Sequence, residues 1–245
     1  MGRKGERRHF KRKPAPKMWP IHRKEAVWTV KPKPGPHPLL RSLPLELIVR
    51  DILKFAKTGK EAKNIISQEK ILVDGKVRRE ERFLVGLMDV ISILDTKKSY
   101  RVLPSKKGLF LHPIKSDEAA FKLCRVEDKT VVKGGHVHLN LHDGTSYLLP
   151  EEDVYQTLDV LKLSVPDREL LGHTKLTIGA PGIVTGGKNI GKYGKVTTIE
   201  KKPNQKRRDL LVTIEDKNGD QFQTILDFVF ILGDTRPSIS LPEAD

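Results

Sequence analysis

Long apolar runs, cysteines and, at one end, acidic residues are what this sequence has least of. No stretch of about 18 consecutive apolar residues occurs, so a membrane-spanning helix is not expected. The N-terminus has no apolar core followed by a small-residue cleavage site, so a secretory signal is not expected either. The single cysteine, Cys124, excludes a disulfide framework and any thiolate zinc finger built from this chain alone. Together these absences predict a protein of the cell interior. Acid is scarce locally: in the first 38 residues only Glu6 and Glu25 stand against 12 Lys and Arg, so this segment supplies most of the formal +15. The chain as a whole is 37% apolar and 31% charged over 245 residues, enough for two or three small domains with modest cores.

What is present at the N-terminus is charge interleaved with aromatics. Arg3, Lys4, Arg7, Arg8, Lys11, Arg12, Lys13, Lys17, Arg23 and Lys24 surround Phe10, Trp19 and Trp28, and both tryptophans of the protein lie here. Such a segment buries too little apolar surface to offset its ordering entropy, which predicts an arm (residues 1–41) that stays disordered until a polyanion organises it. Nucleic acid fits better than a membrane surface. Neutralising phosphates releases counterions, aromatics stack on bases, and the eight prolines from Pro14 to Pro44 argue against the amphipathic helix that membrane binding would use.

From Ser42 the pattern changes. Leu45, Ile48, Val49, Ile52 and Leu53 recur at helical spacing and predict one apolar helix face running to about Phe55. Thr58 and Glu61 form a capping-box pattern ahead of Ala62, Ile65 and Ile66, with lysines on the opposite face. Asp74-Gly75 then sits between Ile71–Val73 and Val77 as a two-residue hairpin turn, because both residue types tolerate positive φ. Residues 87–94 read as a closing strand. This succession over residues 42–96 resembles an S4-type RNA-binding domain, which is expected to be α-rich. The resemblance implies that Lys57, Lys60, Lys63 and Asn64 face RNA from the second helix, with Arg78 and Arg79 beside it.

The rest is β-rich. Residues 97–175 contain short strand-forming runs punctuated by Gly and Pro, with a short helix expected near Ser116 to Leu123. In the run from Gly134 to Gly144, Val137, Leu139 and Leu141 point one way and His136, His138, Asn140 and His142 the other. Three histidines on one face suggest a metal. No Glu follows at a suitable spacing, and a catalytic zinc draws ligands from separate elements, so a polar or RNA-facing surface is the better reading and no metal or cofactor is expected. Residues 182–188 match G-x-x-x-x-G-K, the phosphate-binding loop pattern. Asn189 stands where a magnesium-binding Ser or Thr is needed, and the Gly-punctuated, β-branched continuation cannot form the required helix.

The same residues, from about 178 to 204, resemble a KOW motif within an SH3-like barrel, assigned to residues 176–245. That resemblance implies glycine loops close to RNA phosphates, with Lys188, Asn189, Lys192, Tyr193 and Lys195 as contacts. A strand at 209–216, a turn at Asn218-Gly219 and a long strand at 220–232 complete the unit. The expected fold class is α+β and multi-domain. In this order the parts resemble the small-subunit ribosomal protein S4e family of archaea and eukaryotes across essentially the whole chain, with the short C-terminus favouring an archaeal source. The resemblance implies a structural, non-enzymatic constituent of the small ribosomal subunit, located on the cytoplasmic ribosome and partnered by its ribosomal RNA and by neighbouring ribosomal proteins, with no small-molecule substrate. Two other classes share these modules: a KOW-bearing transcription elongation or RNA-chaperone factor, and an RNA-modifying enzyme. The latter is disfavoured because Leu94-Asp95 lacks the preceding Arg of a pseudouridine synthase and no large α/β domain follows.

Overall fold

The structure is a computed structural model, and it describes residues 9–149, 154–200 and 206–242. Strands dominate it. The two expected helices of the second segment are short: α1, Leu45–Leu47, continues directly into a π-helical turn over Ile48–Ile52, and α2 spans Gly59–Ser67. Apolar spacing drives both, since Leu45, Leu47, Ile48, Val49, Ala62 and Ile66 are all fully buried. Thr58 caps α2 with both halves of the expected box, its hydroxyl accepting from the Glu61 N–H while Glu61 reaches back to the N–H groups of Thr58 and Lys57. Those bonds, the one from Lys57 foremost, hold the Glu61 carboxyl below its ordinary range.

Five strands follow from this module, and they cross the expected boundary at residue 96. Strands β4 (Ile71–Val73), β5 (Lys76–Val77), β7 (Val90–Ile93), β8 (Lys98–Ser105) and β9 (Gly108–Ile114) form one antiparallel sheet in the order β5-β4-β7-β8-β9. The module is therefore more β than α, and residues 98–114 belong to its sheet. Asp74-Gly75 turns β4 into β5 with φ of 50° and 68°, as both residue types permit. A separate pair, β3 (Ser42–Pro44) with β6 (Leu84–Gly86), closes the module's base.

The expectation for the arm is overturned from residue 9 onward. Strands β1 (Phe10–Lys11) and β2 (Trp28–Thr29) pair with each other. Ala15, Trp19 and Val30 are buried in the same core as Leu43, Ile48, Ile91 and Val102. Trp19 is 3% exposed and its indole N–H donates to the Ser42 carbonyl at 2.8 Å. The composition argument fails because the arm borrows its apolar partners from the S4-like module instead of burying its own surface.

After the short helix α3 (Ser116–Ala119), the middle of the chain builds a second sheet in the order β12-β11-β10-β13-β14, from β10 (Phe121–Val131), β11 (Val137–Leu141), β12 (Ser146–Leu149), β13 (Val160–Ser164) and β14 (Leu170–Thr174). The expected helix stops at Ala119, because Phe121 to Val126 are buried on both faces as a central strand. The third sheet, β18-β17-β16-β15-β19, uses β15 (Pro181–Val184), β16 (Tyr193–Glu200), β17 (Leu211–Glu215), β18 (Gln221–Ile225) and β19 (Val229–Ile231). The single long strand expected at 220–232 is thus two: a 3-10 turn at Leu226–Phe228 redirects the chain, so that β18 pairs with β17 and β19 crosses to β15. One continuous core joins Leu103, Phe121 and Val160 to Ile183, Val212 and Phe230, packing this sheet against the rest.

Candidate nucleic-acid interface

The arm separates into residues that hold it and residues that face solvent. Arg23 Nη1 donates to the carbonyls of Arg12, Lys13 and Ala15, and its Nη2 to that of Pro16, all within 2.9–3.1 Å. Arg12 donates to the carbonyls of Trp28 and His22 and pairs with Glu25. Both arginines therefore fold the arm onto itself, a role their charge concealed. Phe10 packs edge-on against Trp19, their centroids 5.9 Å apart, so neither ring is the open stacking surface expected of it. Lys11, Lys13, Lys17 and Lys24 are exposed, as is Trp28, half of whose surface is open and whose ring lies 5.1 Å from that of His9. Arg3, Lys4, Arg7 and Arg8 lie outside the described residues.

On and beside α2, Lys57, Lys60, Lys63 and Asn64 are all exposed, with Lys63 at 3.8 Å from Glu81. Of the flanking arginines one is exposed and one is not. Arg79 pairs with Glu69 at 2.7 Å, and Arg78 lies half-buried with its guanidinium 4.3 Å above the Phe83 ring.

The loop between β15 and β16 carries the last group. Lys188 and Lys195 are exposed. Asn189 donates to the Gln223 carbonyl, and the Lys192 ammonium lies 4.9 Å over Phe222. Tyr193 corrects the sequence reading most clearly: it is 7% exposed and its hydroxyl donates to the Pro242 carbonyl at 2.9 Å, so it anchors the C-terminal segment and offers no stacking surface. The glycines also face protein. A Cβ on Gly186 would press on the Phe228 ring at 2.7 Å, and one on Gly191 would meet Ser105 Cα at 2.9 Å. Positive φ at Gly191 lets this loop lie against the β8–β9 turn. Gly108, in that turn, lies in turn against the Met18 backbone of the arm, so one turn brings the arm and the β15–β16 loop into one neighbourhood.

What sequence reading missed is the buried polar centre that joins these parts. Lys122 Nζ donates to Asp74 Oδ2 at 2.7 Å, Asp89 Oδ1 at 2.5 Å and Asp143 Oδ2 at 3.2 Å, and its side chain is 4% exposed. His37, from the arm, closes on the Asp89 carboxylate at 2.9–3.0 Å over Gly86. Burial alone would raise the Asp89 and Asp143 pKa values, but Lys122 together with the His37 hydrogen bond at Asp89, and with the Thr145 hydrogen bond and Arg168 at Asp143, outweighs it, and both carboxyls sit well below their ordinary range. Asp74 moves the other way, raised by burial and by Asp89, because one ammonium cannot offset three acids. Lys122 itself is raised well above the ordinary lysine range despite its burial, by Asp89 and Asp74. Cys124, beside them, is pushed up by burial and is no nucleophile.

A second joint lies nearby. The Arg125 guanidinium donates to Glu127 and to the carbonyls of Asp227 and Val229, tying the second sheet to the third. The Arg125 N–H donates to His142 Nδ1 at 3.1 Å, while His142 Nε2 lies 3.0 Å from the Leu87 carbonyl. Those partners require a neutral ring with its proton on Nε2, and burial, followed by Lys122, lowers the His142 pKa to about 3. The signal in the sequence was weak: Lys122 stands in an apolar run, whereas His142 shares an alternating polar face with His136 and His138 that was read as RNA-facing, and His142 instead turns to backbone groups inside the protein. Among the described residues, no group of His, Cys, Asp and Glu could hold a metal ion, and no helix is long and apolar enough to cross a membrane.

Comparison with known proteins accounts for most of the chain. It matches the RS4NT (NUC023) domain over residues 4–40, the S4 domain over 45–91 and Ribosomal family S4e over 96–170. Small ribosomal subunit protein eS4 of Desulfurococcus amylolyticus is 50% identical, the alignment covering 99% of each chain. The protein of the same name from Methanocaldococcus jannaschii is 46% identical over 98% of this chain and 100% of its own. The crystal structure of the 30S ribosomal protein S4e from Thermoplasma acidophilum superposes with a TM-score of 0.67 at 32% identity, covering 80% of this chain and 96% of that one.

Proposed function

Because the chain belongs to the ribosomal protein S4e family and is a structural constituent of the small ribosomal subunit, we propose that it holds small-subunit ribosomal RNA through exposed cations on three elements: the arm, α2 and the β15–β16 loop. The family is one of ribosomal proteins and not of enzymes. The observation that carries the proposal is the sorting of charge within the S4-like module. Lys57, just ahead of α2, and Lys60 and Lys63 on it face solvent, Lys63 at 3.8 Å from Glu81, while Glu46, Asp51, Asp74 and Asp89 turn to internal partners. A surface so sorted presents a net positive potential to a phosphate backbone.

The third sheet, with its β15–loop–β16 hairpin, supports an SH3-like KOW unit that contributes Lys188 and Lys195. The arm contributes Lys11, Lys13, Lys17, Lys24 and the Trp28 ring, already folded into place, which lowers the ordering cost of binding. Neighbouring small-subunit proteins are the remaining partners, met on surfaces that RNA leaves uncovered.

The test is binding of the full-length protein to a small-subunit ribosomal RNA transcript over a series of potassium chloride concentrations. The log–log slope should be about −5 or steeper, and replacing Lys57, Lys60 and Lys63 by Gln should reduce it by about two. The melting temperature should hardly change, because the three side chains are exposed. A slope near zero, or a triple variant that binds like the wild type, would refute the proposal. Removal of residues 1–38 is not a clean test, since it would take Ala15, Trp19 and Val30 out of the core.

A further inference from the structure

A cavity of about 330 Å³ opens where the arm, the first sheet, the second sheet and the β15–β16 loop meet, within the range typical of ligand pockets. Its lining carries polar residues whose polar atoms are turned elsewhere. His142 engages both ring nitrogens, His37 holds Asp89, the Arg125 guanidinium is taken by Glu127 and two carbonyls, and Thr185 donates to the Phe228 carbonyl. Ring edges and faces line the cavity between them: His37, His142 and Phe230 run in sequence with centroids 5.9 and 5.4 Å apart and planes inclined at 52° and 79°, His37 and Phe230 nearly buried and His142 the part-exposed ring. Met18, Leu40 and Leu109 complete an apolar wall.

Outside, the character reverses. Arg41 lines the cavity and is exposed, and exposed lysines neighbour the lining in sequence: Lys17 beside Met18, Lys107 beside Gly108, and Lys188 two residues from Ile190. The occupant that fits is flat and uncharged where it enters and anionic where it stays outside. We infer that this cavity receives a single unstacked nucleobase of the bound ribosomal RNA, its flanking phosphates held by Arg41 and the adjacent lysines. The inference rests on the RNA-binding reading above and adds a specific site to it.

Full-length protein bound to small-subunit ribosomal RNA carrying thiouridine and thioguanosine, irradiated and digested, should give base crosslinks on peptides containing Met18, Leu40 or Leu109. Ile190→Trp, which fills the cavity from the loop, should abolish those crosslinks and weaken binding about tenfold at every salt concentration, because no phosphate contact is lost. Leu40→Ala, at a side chain 72% exposed and so harmless to folding, should weaken binding several-fold. Salt-dependent binding with no crosslink on the peptides containing Met18, Leu40 or Leu109, or two variants that bind as the wild type does, would overturn the inference and leave the RNA reading standing. Displacement of the crosslinks by millimolar AMP or GMP would overturn it in favour of a free-nucleotide site. Loss of all RNA binding by the wild type would remove both.

Discussion

Lys122→Met tests whether the three segments of the chain are joined electrostatically. The lysine donates to three carboxylates at 2.5, 2.7 and 3.2 Å, and it, Asp89 and Asp143 are almost wholly excluded from water. At an effective dielectric near 20, each contact carries roughly 5–7 kcal/mol of gross attraction, most of it offset by the cost of desolvating four charges. The net value of the lysine is therefore modest, but its removal is not. Methionine fills the volume and strands three acids around a space whose remaining partners are Arg168 at its edge and the His37 hydrogen bond to Asp89. Breaking a buried ion pair in this one-sided way costs about 3–5 kcal/mol, which for a chain of this size lowers the melting temperature by roughly 6–20 °C. Urea unfolding at neutral pH measures it directly. Two further signatures distinguish this account from simple mispacking. Adding Asp89→Asn to Lys122→Met should restore stability, with a coupling of about 1–3 kcal/mol. The single variant should also lose less on mild acidification than the wild type, because its stranded acids bind protons in the folded state, the direction in which Asp74 already leans. A loss under about 1 kcal/mol, or no recovery in the double variant, would refute the reasoning.

Three other outcomes follow from side chains whose roles the fold reveals. His142 has a folded pKa of about 3 against about 6.5 unfolded, so its contribution is complete above pH 6.5 and is lost as pH falls toward 3. Urea midpoints from pH 7 to pH 5 should fall by the equivalent of about 2 kcal/mol, and His142→Gln should flatten that fall. Trp19→Ala should cost about 3–5 kcal/mol in stability, whereas Trp28→Ala should cost under about 0.5 kcal/mol yet weaken RNA binding; equal effects in either assay would contradict the division between them. Tyr193→Phe should lose about 0.5–1.5 kcal/mol with the Pro242 hydrogen bond and leave RNA affinity unchanged, and a drop in affinity would restore the stacking role.

Local chemistry was legible in the sequence where one element decided it. The capping box at Thr58 and Glu61, the Asp74-Gly75 hairpin and the inward turn of Leu139 and Leu141 depend on neighbours a few residues away, and each stands where its pattern put it. Roles set by distant partners were not legible. Arg23 has the same composition signature as Lys24, yet four carbonyls claim one and solvent the other. Tyr193 sits in a basic, glycine-rich loop motif, and only the return of the chain at Pro242 shows that its hydroxyl faces inward. Asp74 was read correctly as a turn residue, but its carboxylate belongs to Lys122, 48 positions later. The arm failed for the same reason at larger scale: its few apolar residues suffice once β8 and β9 supply the opposite wall.

That dependence of the arm on later residues has a consequence for synthesis. Phe10 and Trp19 emerge first, but the strands around Val102 and the turn at Gly108 that complete their surroundings emerge about 90 residues later. At roughly 5–20 residues per second, the basic arm and these two rings remain uncovered for several seconds or more. During that interval the nascent chain is at its most adhesive toward any nucleic acid within reach, and a segment that is fixed in the finished protein is, while the chain is being made, the part most in need of shielding.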